Sequence, residues 1–462
     1  MSEAQPVALR ASPHGLKTNE ELLEWMNVRH IDEVECVIAD FAGVARGKAM
    51  PSGKFKDFKP TFLPISIFFQ SITGDYVDLE REDYLTEVDL KLVPDLSTVR
   101  AVPWANDPTL QVIHDLYNLD GTPVECAPRN VLKRVVRHFA EMGLKPIVAP
   151  ELEFYLTKRN TDPDDPLEPP VGRSGRQSVG RQAFSIAAVD EYDRVIEDIY
   201  DFAEAQGLEI DTVIQEGGAA QIEINLIHGD PLDLADQIFV FKRLIREAAF
   251  RQNCYATFMA KPMDNQPGSA MHIHQSLVDA ETGKNAFSNE NGEANELFYH
   301  FLGGQQLYMP DVMSMIAPYV NSYRRLVPDA SAPINLEWAE NNRSVGLRVP
   351  NSGPEARRVE NRVVGADVNP YLAIAASLAC GYLGIINKVK PRAAFVGEAY
   401  TAPHELPRSI NSSLLRLEKN EALHQVLGPD FVSVYSTIKY HEFEEFMRVC
   451  TPWEREHLLL TV

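Results

Sequence analysis

The chain has 462 residues, and 44 lysines and arginines against 66 aspartates and glutamates leave a formal charge of −22. Hydrophobic residues make up 45% and charged residues 24%, a globular balance that excludes a disordered or fibrous chain. So large an acidic excess argues against nucleic acid and anionic lipid as partners, and the length allows a large core in more than one domain.

Residues before 17 read as a loose tail, and MSEAQPVALR lacks the apolar stretch of a signal peptide. Thr18 and Glu21 have capping-box spacing ahead of Leu22, Leu23, Trp25 and Met26, which predicts a first helix. Val34 to Ile38 predicts a strand that enters a hairpin at Asp40-Phe-Ala-Gly43-Val-Ala-Arg46-Gly47-Lys48. Residues 49–125 carry many prolines and short strand-like runs such as Leu110 to Ile113. Asp120-Gly121 and Pro128 mark a turn, after which Asn130 is expected to cap a helix through Met142. A second unit therefore begins near 126, giving domains 17–120 and 126–462. Asn160 to Gln182 reads as a long exposed loop, whose Arg173, Arg176 and Arg181 lack the interleaved aromatics of an RNA-binding face. Tyr371 to Ile386 is uncharged but short for a bilayer span, so a helix buried in protein is expected. The five cysteines form no CxxC pair, which suits a reduced, cytoplasmic protein.

Four short strands carry apolar residues on one face and unusual chemistry on the other. Leu152, Phe154 and Leu156 oppose Glu151 and Glu153. Ile222, Ile224 and Leu226 oppose Gln221, Glu223 and Asn225. Met271 and Ile273 oppose His272, His274 and Ser276, while Val359 and Val363 oppose Arg358, Glu360 and Arg362. Like-charged carboxylates two residues apart repel, so an enclosed face of this kind needs a cation. With Glu216 added, the set is Glu151, Glu153, Glu216, Glu223, Glu360 and His272. Oxygen-dominated ligation with a single histidine suits Mg2+ or Mn2+ better than zinc, and two such ions beside phosphate would neutralise developing charge.

The second cluster is basic: Arg343, Arg348, Arg357, Arg358 and Arg362, with Arg324 and Arg325 upstream. Planar guanidinium groups suit two-pronged capture of phosphate and carboxylate. Beside metal-binding carboxylates they point to a nucleotide and a carboxylate substrate, and no Walker loop or GxGxxG motif accompanies them.

From about residue 30 onward the chain resembles the glutamine synthetase superfamily, in its γ-glutamyl-amine branch. The resemblance rests on Pro150-Glu-Leu-Glu153-Phe154, Gln221-Ile-Glu223, Phe258-Met-Ala-Lys-Pro262, Gly268-Ser-Ala-Met-His272-Ile-His274 and Asn321-Ser-Tyr-Arg-Arg325. It continues through Asn342-Arg343, Arg358-Val-Glu360-Asn-Arg362 and Asn369-Pro-Tyr-Leu372, all in family order. It implies an α+β fold: a small N-terminal β-grasp domain and a catalytic domain with an antiparallel, funnel-lining sheet and flanking helices. It further implies a first metal held by Glu153, Glu216 and Glu223, and a second by Glu151, His272 and Glu360. Gly268, Arg325 and Arg362 would hold glutamate; His274, Ser276, Arg348 and Arg358 would face ATP; Arg343 would meet the transferring phosphoryl group. Active sites between subunits of two stacked hexameric rings, a dodecamer, are implied as well. The expected activity is ATP-dependent joining of the γ-carboxylate of L-glutamate to an amine, through γ-glutamyl phosphate.

Departures from true glutamine synthetases bear on the amine. Ser331 stands where their flap carries a glutamate, Ala183 where a tyrosine lines the ammonium pocket, and Ile65-Ser-Ile-Phe-Phe69 where an Asp-Gly-Ser-Ser latch is expected. Together they favour an organic amine, polyamine or monoamine, over ammonium; a scaffold without catalysis is opposed by the complete ligand set. An alkylamine is neutral in only about one molecule in a thousand at pH 7, so a carboxylate must take its proton. Glu216 is the first candidate and Asp329 the second. Tyr400, near the place of an adenylylated tyrosine in bacterial synthetases, is read as structural.

Overall fold

The computed structural model describes residues 15–79, 85–328 and 331–462 as two sheets with flanking helices, an α+β arrangement. Asp329 falls outside the described residues. The first helix, Asn19–Val28, begins with the predicted capping box. Glu21 donates its N–H to the Thr18 hydroxyl at 3.2 Å, and its carboxylate accepts from the Thr18 N–H at 3.1 Å.

The predicted hairpin is β1 (Glu33–Ala39) with β2 (Ala45–Pro51). With β3 (Thr61–Pro64), β4 (Asp89–Pro94), β5 (Arg100–Ala101) and β6 (Thr109–Tyr117), it forms a sheet ordered β2-β1-β6-β4-β3, β5 pairing with β6. β1 and β6 run parallel and the remaining pairs are antiparallel, the mixed order expected of a β-grasp unit.

The second sheet contains β7 (Leu144–Lys158), β8 (Ile210–Gln215), β9 (Gln221–Leu226), β10 (Cys254–Thr257), β11 (Met271–Asp279), β12 (Trp338–Glu340), β13 (Leu347–Val349) and β14 (Val359–Asn361). Its order is β12-β13-β14-β11-β7-β9-β8, with β10 on β7, and every pair except β12–β13 is antiparallel. Alternation fixes its two faces: Leu152, Phe154, Leu156, Ile222, Ile224, Met271 and Ile273 are fully buried on the helix side.

Helices Pro128–Ala140, Pro231–Arg251, Glu296–Tyr308 and Pro370–Ile386 supply that side. The last of these is the expected buried helix, capped by the Asn369 side chain, which accepts from the N–H groups of Tyr371 and Leu372. It meets helix Glu296–Tyr308 where a Cβ on Gly304 would lie 2.5 Å from the Cα of Gly384, so glycine is required there. No helix among the described residues is long and apolar enough to cross a membrane.

The expectation for Asn130 is corrected. Ala127 is the N-cap and Pro128 opens the helix, because proline needs no N–H partner in the first turn. Asn130 instead turns inward and donates to the carbonyls of Leu116 and Val124, each at 3.0 Å, and the helix ends at Ala140.

One hydrophobic cluster runs through both sheets, from Leu22 to Ile438. Buried Arg129 ties them further, reaching Asp95 at 2.7 Å, Asp115 at 2.6 Å and Asp236 at 2.8 Å, while Tyr371 donates to Asp236. The loop 160–182 is mostly exposed, as expected, with Arg173 paired to Asp190 at 3.0 Å. Among the described residues, the five cysteines form no disulfide.

Candidate active site

Register places the chemical residues in rungs across the second sheet. Arg348 on β13 is paired with Glu360 on β14, and Glu360 with His274 on β11. One rung along, His272 on β11 is paired with Glu151 on β7, and Glu151 with Asn225 on β9. The next rung sets Glu153 on β7 against Glu223 on β9.

Ligand atoms of Glu151, His272 and Glu360 all lie within 4.8 Å of one another, as do those of Glu153, Glu223 and His272. The first group is the trio expected for one metal. The second contains two of the three residues expected for the other, with His272 shared between the groups. Glu216, just past β8, stands outside this grouping, but its charge acts on both Glu153 and Glu223.

The environment divides these acids. Burial pushes Glu153 up to about 8 and Glu223 up to about 9, and neighbouring carboxylates add to the rise. Burial also raises Glu216. Glu151 is the reverse: burial opposes its charge, yet hydrogen bonds from His272 at 3.1 Å and His274 at 2.8 Å hold it well below the usual range. Burial keeps His272 neutral, lowered to about 4, so its ring remains able to ligate. Glu360 is fully buried, but the adjacent Arg362 guanidinium holds it below the usual carboxylate range. Its carboxylate accepts from Arg362 on one oxygen and from Arg348 at 2.6 Å on the other. An enclosed set of carboxylates and a neutral imidazole, with two acids forced to keep protons, fits a hard divalent cation.

Two residues of this face orient the acids, a role that alternation alone did not assign. Gln221 donates to Glu153 at 3.2 Å and to the Gly268 carbonyl at 3.0 Å, and Asn225 donates to Glu223 at 3.0 Å.

Beside the acids opens a cleft of about 720 Å³ lined in part by Glu151, Asn225, His274, Ser276, Asn285 and Arg358. Three of the four residues expected to face ATP are in this lining. The fourth, Arg348, is turned to Glu360. Arg358 donates to His274 Nδ1 at 3.1 Å, and the Ser276 hydroxyl to the Arg357 carbonyl at 2.9 Å. Arg357, counted with the basic cluster, is taken up by structure: it bonds Ser288 at 3.0 Å and the Gly292 carbonyl at 2.7 Å, and lies over the Phe298 ring.

On the other side, Gly268, Arg325 and Arg362 come together. Arg325 donates to the carbonyls of Val363 at 2.7 Å and Arg362 at 3.0 Å. A Cβ on Gly268 would stand 2.6 Å from Arg325 Cγ and from the Ala260 carbonyl, so no other residue fits there. The charges of both arginines are felt by Glu153, and Tyr400 is close enough to act on both. Arg343 is exposed, and its charge reaches Glu216.

The positions expected to bear on the amine are separate from the sheet. Arg181 N–H bonds the Gly217 carbonyl at 2.7 Å and Phe184 N–H the Gln215 carbonyl at 2.8 Å, laying exposed Ala183 alongside the segment that carries Glu216. Ser331 is exposed, in left-handed backbone. Ile65, Phe68 and Phe69 are buried in the core, with Phe68 5.6 Å from Phe41.

Comparison with known proteins agrees with this geometry. The family described as "Glutamine synthetase, catalytic domain" matches residues 125–458. The γ-glutamylputrescine synthetase PuuA of Escherichia coli K12 is 35% identical over 461 residues, covering 97% of this chain and 96% of that protein. A glutamate–isopropylamine ligase of a Pseudomonas species is 32% identical over 447 residues, covering 93% and 95%. Among solved structures, a GmaS/ADP complex superposes with a TM-score of 0.81 at 25% identity, covering 95% of this chain and 99% of that one. With these matches added to the rungs of carboxylate, imidazole and arginine on its second sheet, the chain belongs to the glutamine synthetase family.

Proposed function

We infer that this protein joins the γ-carboxylate of L-glutamate to an organic amine at the expense of ATP. The observation that carries the reading is one sheet face on which enclosed acids lie between a nucleotide-sized cleft and a pair of arginines. A carboxylate does not condense usefully with an amine in water, so it must be activated. A γ-carboxylate oxygen of glutamate attacks the γ-phosphorus of ATP, and ADP leaves. The amine nitrogen then attacks the acyl carbon of γ-glutamyl phosphate, phosphate leaves, and the amide forms.

In this reading Arg325, Arg362 and the Gly268 backbone hold glutamate, while His274, Ser276, Arg348 and Arg358 form the nucleotide side. Arg343 stabilises the charge of the transferring phosphoryl group. Glu151, His272 and Glu360 would hold one divalent ion, and Glu153, Glu216 and Glu223 another, with Mg2+ or Mn2+ the chemical fit. When bound, such ions neutralise phosphate charge and polarise the phosphoryl group. Glu216 takes the proton of the incoming ammonium group; its raised proton affinity suits the task. Holding the reactants in line is most of the work, since positioning replaces entropy that a free encounter would have to supply.

Exposed Ala183 and Ser331 support an amine larger than ammonium, because neither supplies a charge to cage a small cation. Exposed Trp453, Leu459 and Leu460 support assembly into a homo-oligomer, which we take to be a dodecamer of two hexameric rings. Five cysteines, none of them in a disulfide among the described residues, support a cytoplasmic location. The test is phosphate release with ATP, glutamate and a panel of putrescine, spermidine, spermine, ethanolamine, a monoamine and ammonium. Turnover that requires glutamate and favours an organic amine is expected; ammonium as the best substrate overturns the reading.

A further inference from the structure

Behind the two carboxylate-binding arginines runs a chain of buried polar contacts. Lys242, on helix Pro231–Arg251, is 7% exposed, and its ammonium donates to the carbonyls of Ala366 and Val368 at 2.6 and 2.7 Å. These carbonyls flank Asp367, whose charge acts on Lys242 through space. Oδ2 of Asp367 accepts from the Ser322 hydroxyl at 2.6 Å, while its Oδ1 is sealed from solvent and has no hydrogen-bond partner among the described residues. That oxygen occupies the space a side chain at Gly365 would need, since a Cβ there would lie 2.5 Å away.

Ser322 is 1% exposed, and its oxygen accepts from the Tyr319 N–H at 3.0 Å at the start of helix Val320–Arg325. Next to it, Asn321 exchanges two hydrogen bonds of 2.9 Å with the backbone of Lys261. One turn beyond Ser322, Arg325 returns to the same loop through the carbonyls of Arg362 and Val363. The contacts therefore close a ring. The loop after β14 is gripped at 366 and 368 by Lys242 and at 362 and 363 by Arg325. Between these grips Asp367 holds the helix that presents Arg325.

A ring of this kind has a physical purpose. An arginine side chain has many rotamers, so two unrestrained guanidinium groups seldom stand at the spacing a carboxylate needs. We propose that Lys242, Asp367 and Ser322 are positioning residues that fix Arg325 relative to Arg362, and thereby set the affinity for glutamate without entering the phosphoryl transfer. The inference rests on the reading of Arg325 and Arg362 as glutamate ligands.

The test separates glutamate from ATP. Ser322→Ala removes both the hydroxyl that Asp367 accepts from and the acceptor for Tyr319. It should raise KM for glutamate about tenfold, a loss in keeping with sub-ångström displacement of a binding group, while KM for ATP and kcat stay within about twofold. Ser322→Thr keeps the hydroxyl and should restore the parent KM. Calorimetric titration with ADP, with equal affinity in parent and variant, reports an intact nucleotide side. If Ser322→Ala does not fold, isosteric Asp367→Asn is measured in its place, with the same rise expected. An unmoved KM for glutamate in a folded variant, or equal rises for glutamate and ATP, overturns the proposal. A parent without glutamate-dependent turnover on any amine would instead overturn the ligase reading. Glutamate titrated into the ADP-bound protein then decides the positioning role: weaker binding in Ser322→Ala supports it, and equal or undetectable binding in both proteins overturns it.

Discussion

Glu153 and Glu223 are cross-strand partners, and their enclosure predicts a proton-linked metal site. Pushed up from 4.5 to about 8 and about 9, both keep protons in the folded chain at pH values where the unfolded chain has released them. At these two positions the folded state then binds more protons, so without metal their contribution to stability is fully present below about pH 4.5 and is lost as pH rises toward 9. At about 1.4 kcal/mol per unit, the rise at Glu153 alone corresponds to roughly 5 kcal/mol. A divalent cation held there would bind the ionised carboxylates and displace those protons. Thermal melts in EDTA should fall between about pH 6 and pH 8, and the upward shift produced by Mg2+ should grow over the same range. Calorimetry in two buffers of different ionisation heat should find about one or more protons released per site near pH 7. Melts in EDTA that are flat with pH, together with metal binding that releases no proton, would refute the reasoning.

Arg129→Met leaves Asp236 buried without its cation and should cost about 3–5 kcal/mol in denaturant unfolding. The deficit should shrink as pH falls, because a protonated Asp236 no longer needs the partner; a loss under about 1 kcal/mol would contradict this account. Gly268→Ala drives a methyl group against Arg325 Cγ and should raise KM for glutamate about tenfold with KM for ATP little changed, measured by phosphate release. Thr18→Ala removes the first helix's cap and should cost about 1 kcal/mol in a melt while leaving turnover intact; lost activity would show that this helix end reaches the site.

The chemical face was legible because side-chain direction alternates in a strand whatever its neighbours are. Glu151, Glu153, Glu223, His272, His274 and Glu360 could thus be sorted to one side from local sequence. Register is a tertiary property, so nothing near Glu360 announced that it would lie opposite both His274 and Arg348. Arg357 shows the limit of counting charges: inside a run of arginines, it is spent on a hydroxyl, a carbonyl and an aromatic ring. Lys242 reads as one of several charges on a helix, and only the packing of that helix against the loop after β14 turns it inward. Asn130 looked like a cap because its residue type favours one, but Pro128 had already supplied the helix start.

Glu360 accepts from Arg348 with one oxygen and from Arg362 with the other, so under the proposed assignment a single carboxylate is common to the nucleotide and amino-acid halves of the site. Neither half can be altered without disturbing its counterpart, and double substitutions across this carboxylate should be far from additive. Ala183 and Ser331 stand apart, on exposed segments with no share in that carboxylate. Under the proposed function, a closely bonded activation centre is thus paired with exposed positions that can change independently of it. Such a division would let a lineage exchange one amine for another by surface changes alone, keeping the chemistry that activates glutamate.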